Sequence, residues 1–153
     1  MAGIVLAGLI GMVAGLRTMT APAAVAWAAH LGWISLDGSW LAFLGYRSTA
    51  VILTLLALAE FVTDTLPATP SRTVPIQFAA RIASGTLCGG AIGIGLGQPV
   101  AGSLAGAAGA VIGTLGGARA RARMAAAFGS DRPAAFTEDA VAVIAAILVT
   151  RAL

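Results

Sequence analysis

Four ionisable residues, Arg17, Glu60, Asp64 and Arg81, lie within otherwise apolar stretches of this chain. A charge at the centre of a membrane helix costs about 2.5–3.5 kcal/mol on insertion scales, so such residues tend to face a partner, a cavity or a pathway. Glu60 and Asp64 are four residues apart and share one helix face. They fall near the C-terminal end of their segment, where a carboxylate opposes the helix dipole. They therefore need a cation: Arg72, Arg81 or a bound ion. Arg17 is the deepest charge. It could pair with Glu60 or Asp64, or hold an anionic ligand with its planar fork. Thr18 and Thr20 flank it, and their hydroxyls either line a cavity or bond back to their own helix. Glu138 and Asp139 open the last apolar segment, where acids suit a helix N-terminus and Thr137 is placed to cap it. Two kinds of chemistry fit this set: salt bridges that hold helices together, or a pathway for ions or protons.

Other chemistry is poorly provided for. Cys88 is the sole cysteine and His30 the sole histidine, so no internal disulfide and no His/Cys-rich metal site can form within one protomer. There is no Ser–His–Asp set, zinc motif or plausible Cys–His pair. Paired carboxylates can do acid–base work, but with no recognisable catalytic motif the expectation is a protein that is not an enzyme and needs no cofactor or metal.

These residues must be positioned by membrane helices. Of 153 residues, 59% are hydrophobic and only 10% charged, against about 25% charged in ordinary soluble domains. Mean hydropathy is +0.95. A soluble domain of this size has too little interior for so much apolar surface, so the bilayer is the expected solvent. The reading is an all-α, polytopic transmembrane bundle of about five spans, in a single domain over residues 1–153. The first segment, Gly3 to about Ala29, has no positive n-region and is expected to be retained as a helix. Arg17 and Pro22 should leave it kinked or broken. Trp33, Trp40 and Tyr46 mark an interfacial stretch, with a short helix over Ser39–Gly45. Further spans are expected at about Ser48–Leu66, stopped by Pro67 and Pro70, then Ile76–Leu96, Val100–Ala118 continuing to Phe128, and Phe136–Leu153.

The net charge is +3, and all nine basic residues are arginine. Arg119, Arg121, Arg123 and Arg132 fall between two apolar segments. Basic loops beside membrane helices set orientation, which explains the cluster better than nucleic-acid binding does. Five spans put the termini on opposite sides. Arg72 joins those four on the N-terminal side, against Arg47 and Arg151 on the other, so the N-terminus is expected in the cytoplasm.

Glycines recur at helical spacing. Gly85, Gly89, Gly93 and Gly97 form one row, and Gly102, Gly106, Gly109, Gly113 and Gly116 another. Small residues let membrane helices approach closely, and the tight turn Gly97-Gln-Pro99 should pair spans three and four antiparallel. The rows serve packing within the chain, or a homo-oligomer seam or pore lining. Neither row ends in the Gly-Lys-Ser/Thr of a phosphate loop.

Several blocks also carry a resemblance. Gly15-Leu-Arg-Thr-Met-Thr-Ala-Pro22, Ala59-Glu-Phe-Val-Thr-Asp-Thr-Leu-Pro67, Thr69-Pro-Ser-Arg-Thr73, Ala80-Arg81 and Thr137-Glu-Asp-Ala-Val together resemble domain-of-unknown-function family 4126. Thr65 stands where many members carry a basic residue. The resemblance covers nearly the whole chain and implies a bacterial inner-membrane protein, without implying an activity. It picks out Arg17, Glu60, Asp64, Arg72, Arg81, Glu138 and Asp139. The functional expectation is a small oligomeric transporter or channel for an ion or anionic ligand, with a non-transporting scaffold or accessory subunit as the alternative.

Overall fold

Proline and glycine place several of the helix boundaries. The computed structural model describes residues 1–64 and 71–153. Among these residues there are six α-helices: α1 (Ala2–Leu16), α2 (Thr20–His30), α3 (Arg47–Thr63), α4 (Pro75–Gly95), α5 (Pro99–Phe128) and α6 (Asp131–Arg151). Among the described residues there is no strand. Pro75 and Pro99 each occupy the first turn of a helix, where a missing N–H costs nothing. Gly129 ends α5 at a φ of 66°, a left-handed cap that favours glycine. The short helix expected over Ser39–Gly45 is a 3-10 turn over Ala42–Gly45. The expected stops at Pro67 and Pro70 lie outside the described residues.

The helices run alternately up and down. Gly3, near the start of α1, packs on Leu96 at the α4–α5 turn, while Gly15, near its end, lies against Ala110 and Thr114 of α5. The chain then reverses. Thr18 and Met19 lie against Glu60, near the end of α3, and Ile34, just past α2, returns to Gly95 at the α4–α5 turn. The long first span expected from the sequence is therefore two helices that fold back on each other. The interruption is at Arg17–Met19, where Arg17 is extended (φ −139°, ψ 115°). Pro22 sits harmlessly in the first turn of α2.

This corrects the expected arrangement of the termini. Arg151 stacks on Trp33, so the C-terminal end lies by the loop after α2, at the same end of the bundle as Gly3. The basic residues Arg119, Arg121, Arg123 and Arg132 follow α5 past Gly117, which touches Leu16. They sit at the end away from the N-terminus, not beside it.

Three helices, α4, α5 and α6, are long and apolar enough to cross a membrane. α1 is apolar but shorter. It packs into the centre, with Ala7, Ile10, Val13 and Ala14 buried. The outer faces are strongly apolar: Ile52, Leu55 and Leu58 on α3, and Phe136, Ile144 and Leu148 on α6, are all exposed. Patches of this extent suit lipid rather than water.

The two glycine rows do not simply face one another. Gly85, Gly89 and Gly93 of α4 abut Gly102 and Gly106 of α5, whereas Gly109 and Gly113 abut Gly8 and Met12 of α1. Gly97 lies in the turn, and Gly116 faces open space.

Candidate functional site

A backbone that leaves its helix releases N–H and C=O groups, and away from water each needs a partner. At the Arg17–Met19 reversal the partners come from distant helices. Arg81 of α4 donates through Nη1 to the carbonyls of Gly15 (3.0 Å) and Leu16 (2.7 Å), the end of α1. The Thr114 hydroxyl of α5, which donates to Ala110 of its own helix at 2.8 Å, lies 3.2 Å from the Gly15 carbonyl, and Ser84 donates to the Thr18 carbonyl at 2.6 Å. Glu60 of α3 accepts from the N–H groups of Thr18 and Met19, both at 2.8 Å, where α2 begins. A cation thus meets the negative end of α1 and an anion the positive end of α2, each favourable to the helix dipole. Arg81 and Glu60 themselves approach to 3.8 Å.

The expectation that Glu60 needs a cation is only partly met, because two backbone donors hold it. Asp64 finds its cation in Arg17. Arg17 is completely buried, pairs with Asp64, which caps α3, and with Asp139 of α6, and lies 5.8 Å from the Phe61 ring centre. Its Nε has no hydrogen-bond partner among the described residues, and neither has the buried hydroxyl of Thr20.

Arg72 does not reach Glu60 or Asp64. It pairs with both oxygens of Glu138, with Nη2 to Oε2 at 2.6 Å. A Cβ on Gly117 would fall 3.0 Å from Arg72 Nη1 and 3.1 Å from Glu138 Oε1, so this glycine leaves room for the pair. Glu138 and Asp139 do not open their helix, because α6 starts at Asp131, two turns earlier. Thr137 is no cap. Its hydroxyl bonds back to the Pro133 carbonyl at 2.8 Å.

Arg121, read from the sequence as an orienting loop residue, belongs to the cluster together with Asp131. Arg121 holds Asp131 through Nε (2.9 Å) and Nη2 (2.6 Å), donates to the Asp64 carbonyl (3.3 Å) and approaches Glu138 (3.5 Å). Five of the six acidic residues of the chain, all but Asp37, thus gather with four arginines at one end of the bundle. Ser84 and Thr114 also escaped the sequence reading. Their only signal was a hydroxyl inside an apolar helix, with Ser84 one turn past Arg81.

A cavity of about 620 Å³ opens beside this cluster, lined by Glu60, Asp64, Arg72, Arg81, Arg121 and Asp131 together with Ser71, Gln77 and mainly small or apolar side chains. Arg17 and Glu138 stand behind its wall, each through a partner that lines it, Asp64 and Arg72, and Asp139 lies behind Arg17.

Fold and site define a class: an all-helical protein with helices fit to cross a membrane and a buried arginine–carboxylate cluster at a helix reversal. The chain belongs to the family described as Domain of unknown function (DUF4126), whose profile matches residues 4–152. No curated protein and no solved structure matched it.

Proposed function

We propose that this chain is a multi-pass protein of the bacterial inner membrane that passes a small charged solute by way of the cavity at the Arg17–Met19 reversal. The observation carrying this reading is the cavity of about 620 Å³ lined by six charged residues, with a reversed helix pair at its wall. Broken helices near the middle of a membrane are how many transporters present charged groups and free helix ends to a solute. α1 has 15 residues and is about 22 Å long, short of a hydrocarbon core of about 30 Å. In this reading α4 to α6 cross the membrane, α3 (17 residues) runs beside them from the outer side to the cavity end, α1 and α2 enter and return, and the glycine contacts of α5 hold α1 and α4 close. Arg17 is shared between carboxylates on two helices, so a solute or proton that engages Asp64 shifts Arg17 toward Asp139.

Orientation follows from charge. The reversal end carries Arg72, Arg119, Arg121, Arg123 and Arg132, and the opposite end Arg47 and Arg151. The positive-inside rule then places the cavity on the cytoplasmic side and both termini outside, reversing the N-terminus relative to the sequence expectation. With Cys88 changed to alanine, Ser130→Cys should react with an impermeant thiol reagent only from the cytoplasm and Ala2→Cys only from outside. Labelling of Ala2→Cys from the cytoplasm alone defeats this orientation.

The functional test is flux. Protein reconstituted in vesicles should pass at least one of potassium, chloride, inorganic phosphate, acetate or protons faster than protein-free vesicles. Asp64→Asn leaves Arg17 paired with Asp139, so helical content should survive while flux falls roughly tenfold or more, the value of one charge-assisted hydrogen bond. No flux of any probe overturns the reading. One observation favours a scaffold instead: Arg17, Arg72 and Arg121 each tie together distant segments of the bundle. A scaffold would show no flux and would co-purify with a stoichiometric partner in mild detergent.

A further inference from the structure

We infer that the cavity takes a small oxyanion, a carboxylate or phosphate group, on the free edge of Arg81. This names the solute class for the reading above and rests on it. The lining looks electrically balanced, with Arg72, Arg81 and Arg121 against Glu60, Asp64 and Asp131. The balance disappears once hydrogen-bonding capacity is followed. Each oxygen of Glu60 accepts a backbone N–H, Asp64 is held by Arg17, and each oxygen of Asp131 accepts from Arg121. Arg72 is spent on Glu138. Arg81 is the exception. Its Nη1 serves Gly15 and Leu16, but its Nη2 stands 3.8 Å from Glu60, beyond hydrogen-bond distance. Its Nε has no hydrogen-bond partner among the described residues.

Nε and Nη2 form one side of the guanidinium fork, the side whose two parallel N–H groups match the two oxygens of a carboxylate or phosphate. Arg81 is only 3% exposed, so these donors are largely removed from water, which is costly without an acceptor. The N-terminus of α4 opens at the same cavity. Gln77 lines it, and the first turn has neither an acidic residue nor a side-chain cap. Helix N-termini favour anions. The carboxylates set the helices in place, and the arginine edge is left for the guest.

The acceptor is either a free solute or the phosphate of a lipid headgroup, and one titration series separates them. The full chain in an alkyl maltoside is titrated calorimetrically with inorganic phosphate, with acetate and with short-chain phosphatidylglycerol, at ionic strength matched with sodium chloride. Arg81→Lys keeps the charge but loses the fork. Gln77→Glu puts a negative charge at the cavity where the helix dipole tolerates it, so this variant should fold even if Arg81→Lys does not. Each is expected to weaken binding about 10- to 100-fold. Saturable phosphate or acetate binding weakened in this way assigns a free solute. Phosphatidylglycerol binding alone, weakened in the same way, assigns a headgroup. Binding indifferent to Gln77→Glu, or no binding of any of the three, overturns the oxyanion site. If vesicles then still pass potassium or protons, the solute-handling reading stands without it. Oxyanion binding with no flux leaves the site and removes the transport reading.

Discussion

Replacing Arg17 with glutamine should cost about 3 kcal/mol and remove most of the folded yield, because it strips a completely buried cation from two largely buried carboxylates. Asp64 and Asp139 would then share a site with no counter-charge, and the contact with Phe61 would go too. The informative companion is the triple variant Arg17→Gln, Asp64→Asn, Asp139→Asn. Replacing every member of a buried ion pair by neutral groups is often close to neutral in stability, so the triple should recover to within about 1–2 kcal/mol of the wild type. Thermal midpoint and monodisperse yield in detergent measure both. A single variant as stable as the wild type would show that Arg17 does not hold α3 and α6 to the reversal. A recovered triple without flux would assign the charges to solute handling. A recovered triple with full flux would make them structural.

The helices themselves were largely legible. Apolar stretches from Ile76, Val100 and Phe136 placed α4, α5 and all but the first turns of α6, and the charges in apolar surroundings pointed to the cluster. The reversal was not legible at its true position. Pro22 is the strongest local breaker in the first segment, yet it lies where a proline is tolerated. What permits the break at Arg17–Met19 is Arg81, Ser84 and Glu60, 41 to 66 residues away, supplying the lost backbone partners. No local pattern contains them. The same blindness affected Glu60. Its own helix end gave it no favourable dipole, so a cation seemed required, but the N-terminus of a different helix supplied two N–H groups. Arg121 was hidden by a correct generalisation, that basic loops orient membrane proteins, which leaves open what else such a residue can touch. Reading the first segment as one span rather than a returning pair put the N-terminus at the wrong end relative to the basic residues, since one extra reversal turns every later helix over relative to the first.

Gly106→Val should destabilise the bundle by about 3 kcal/mol or more through overpacking, because this residue touches two helices by backbone alone. A Cβ there would fall 2.9 Å from Gly89 Cα and 3.0 Å from the Gly85 carbonyl carbon of α4, while a Cβ on Gly11 of α1 would meet Gly106 Cα at 2.8 Å. Backbone atoms cannot turn aside as a flexible side chain can, so α1, α4 and α5 would have to part. Gly116 on the same helix provides the control, since nothing lies within 4 Å of a Cβ placed there. Gly116→Ala should change stability by no more than about 0.5–1 kcal/mol, in the direction of gain, whereas Gly106→Ala, the same chemical change, should lower the thermal midpoint and the folded yield. Equal effects at the two positions would mean that the helices do not meet at Gly106. The contact also reaches the site. The seat of Gly11 on Gly106 sets how far α1 extends along α5, and so holds the carbonyls of Gly15 and Leu16 within reach of Arg81. Protein carrying Gly106→Ala that still folds should therefore lose flux more than its remaining stability explains, because a displaced α1 draws Arg81 with it and changes the edge the arginine offers to the cavity.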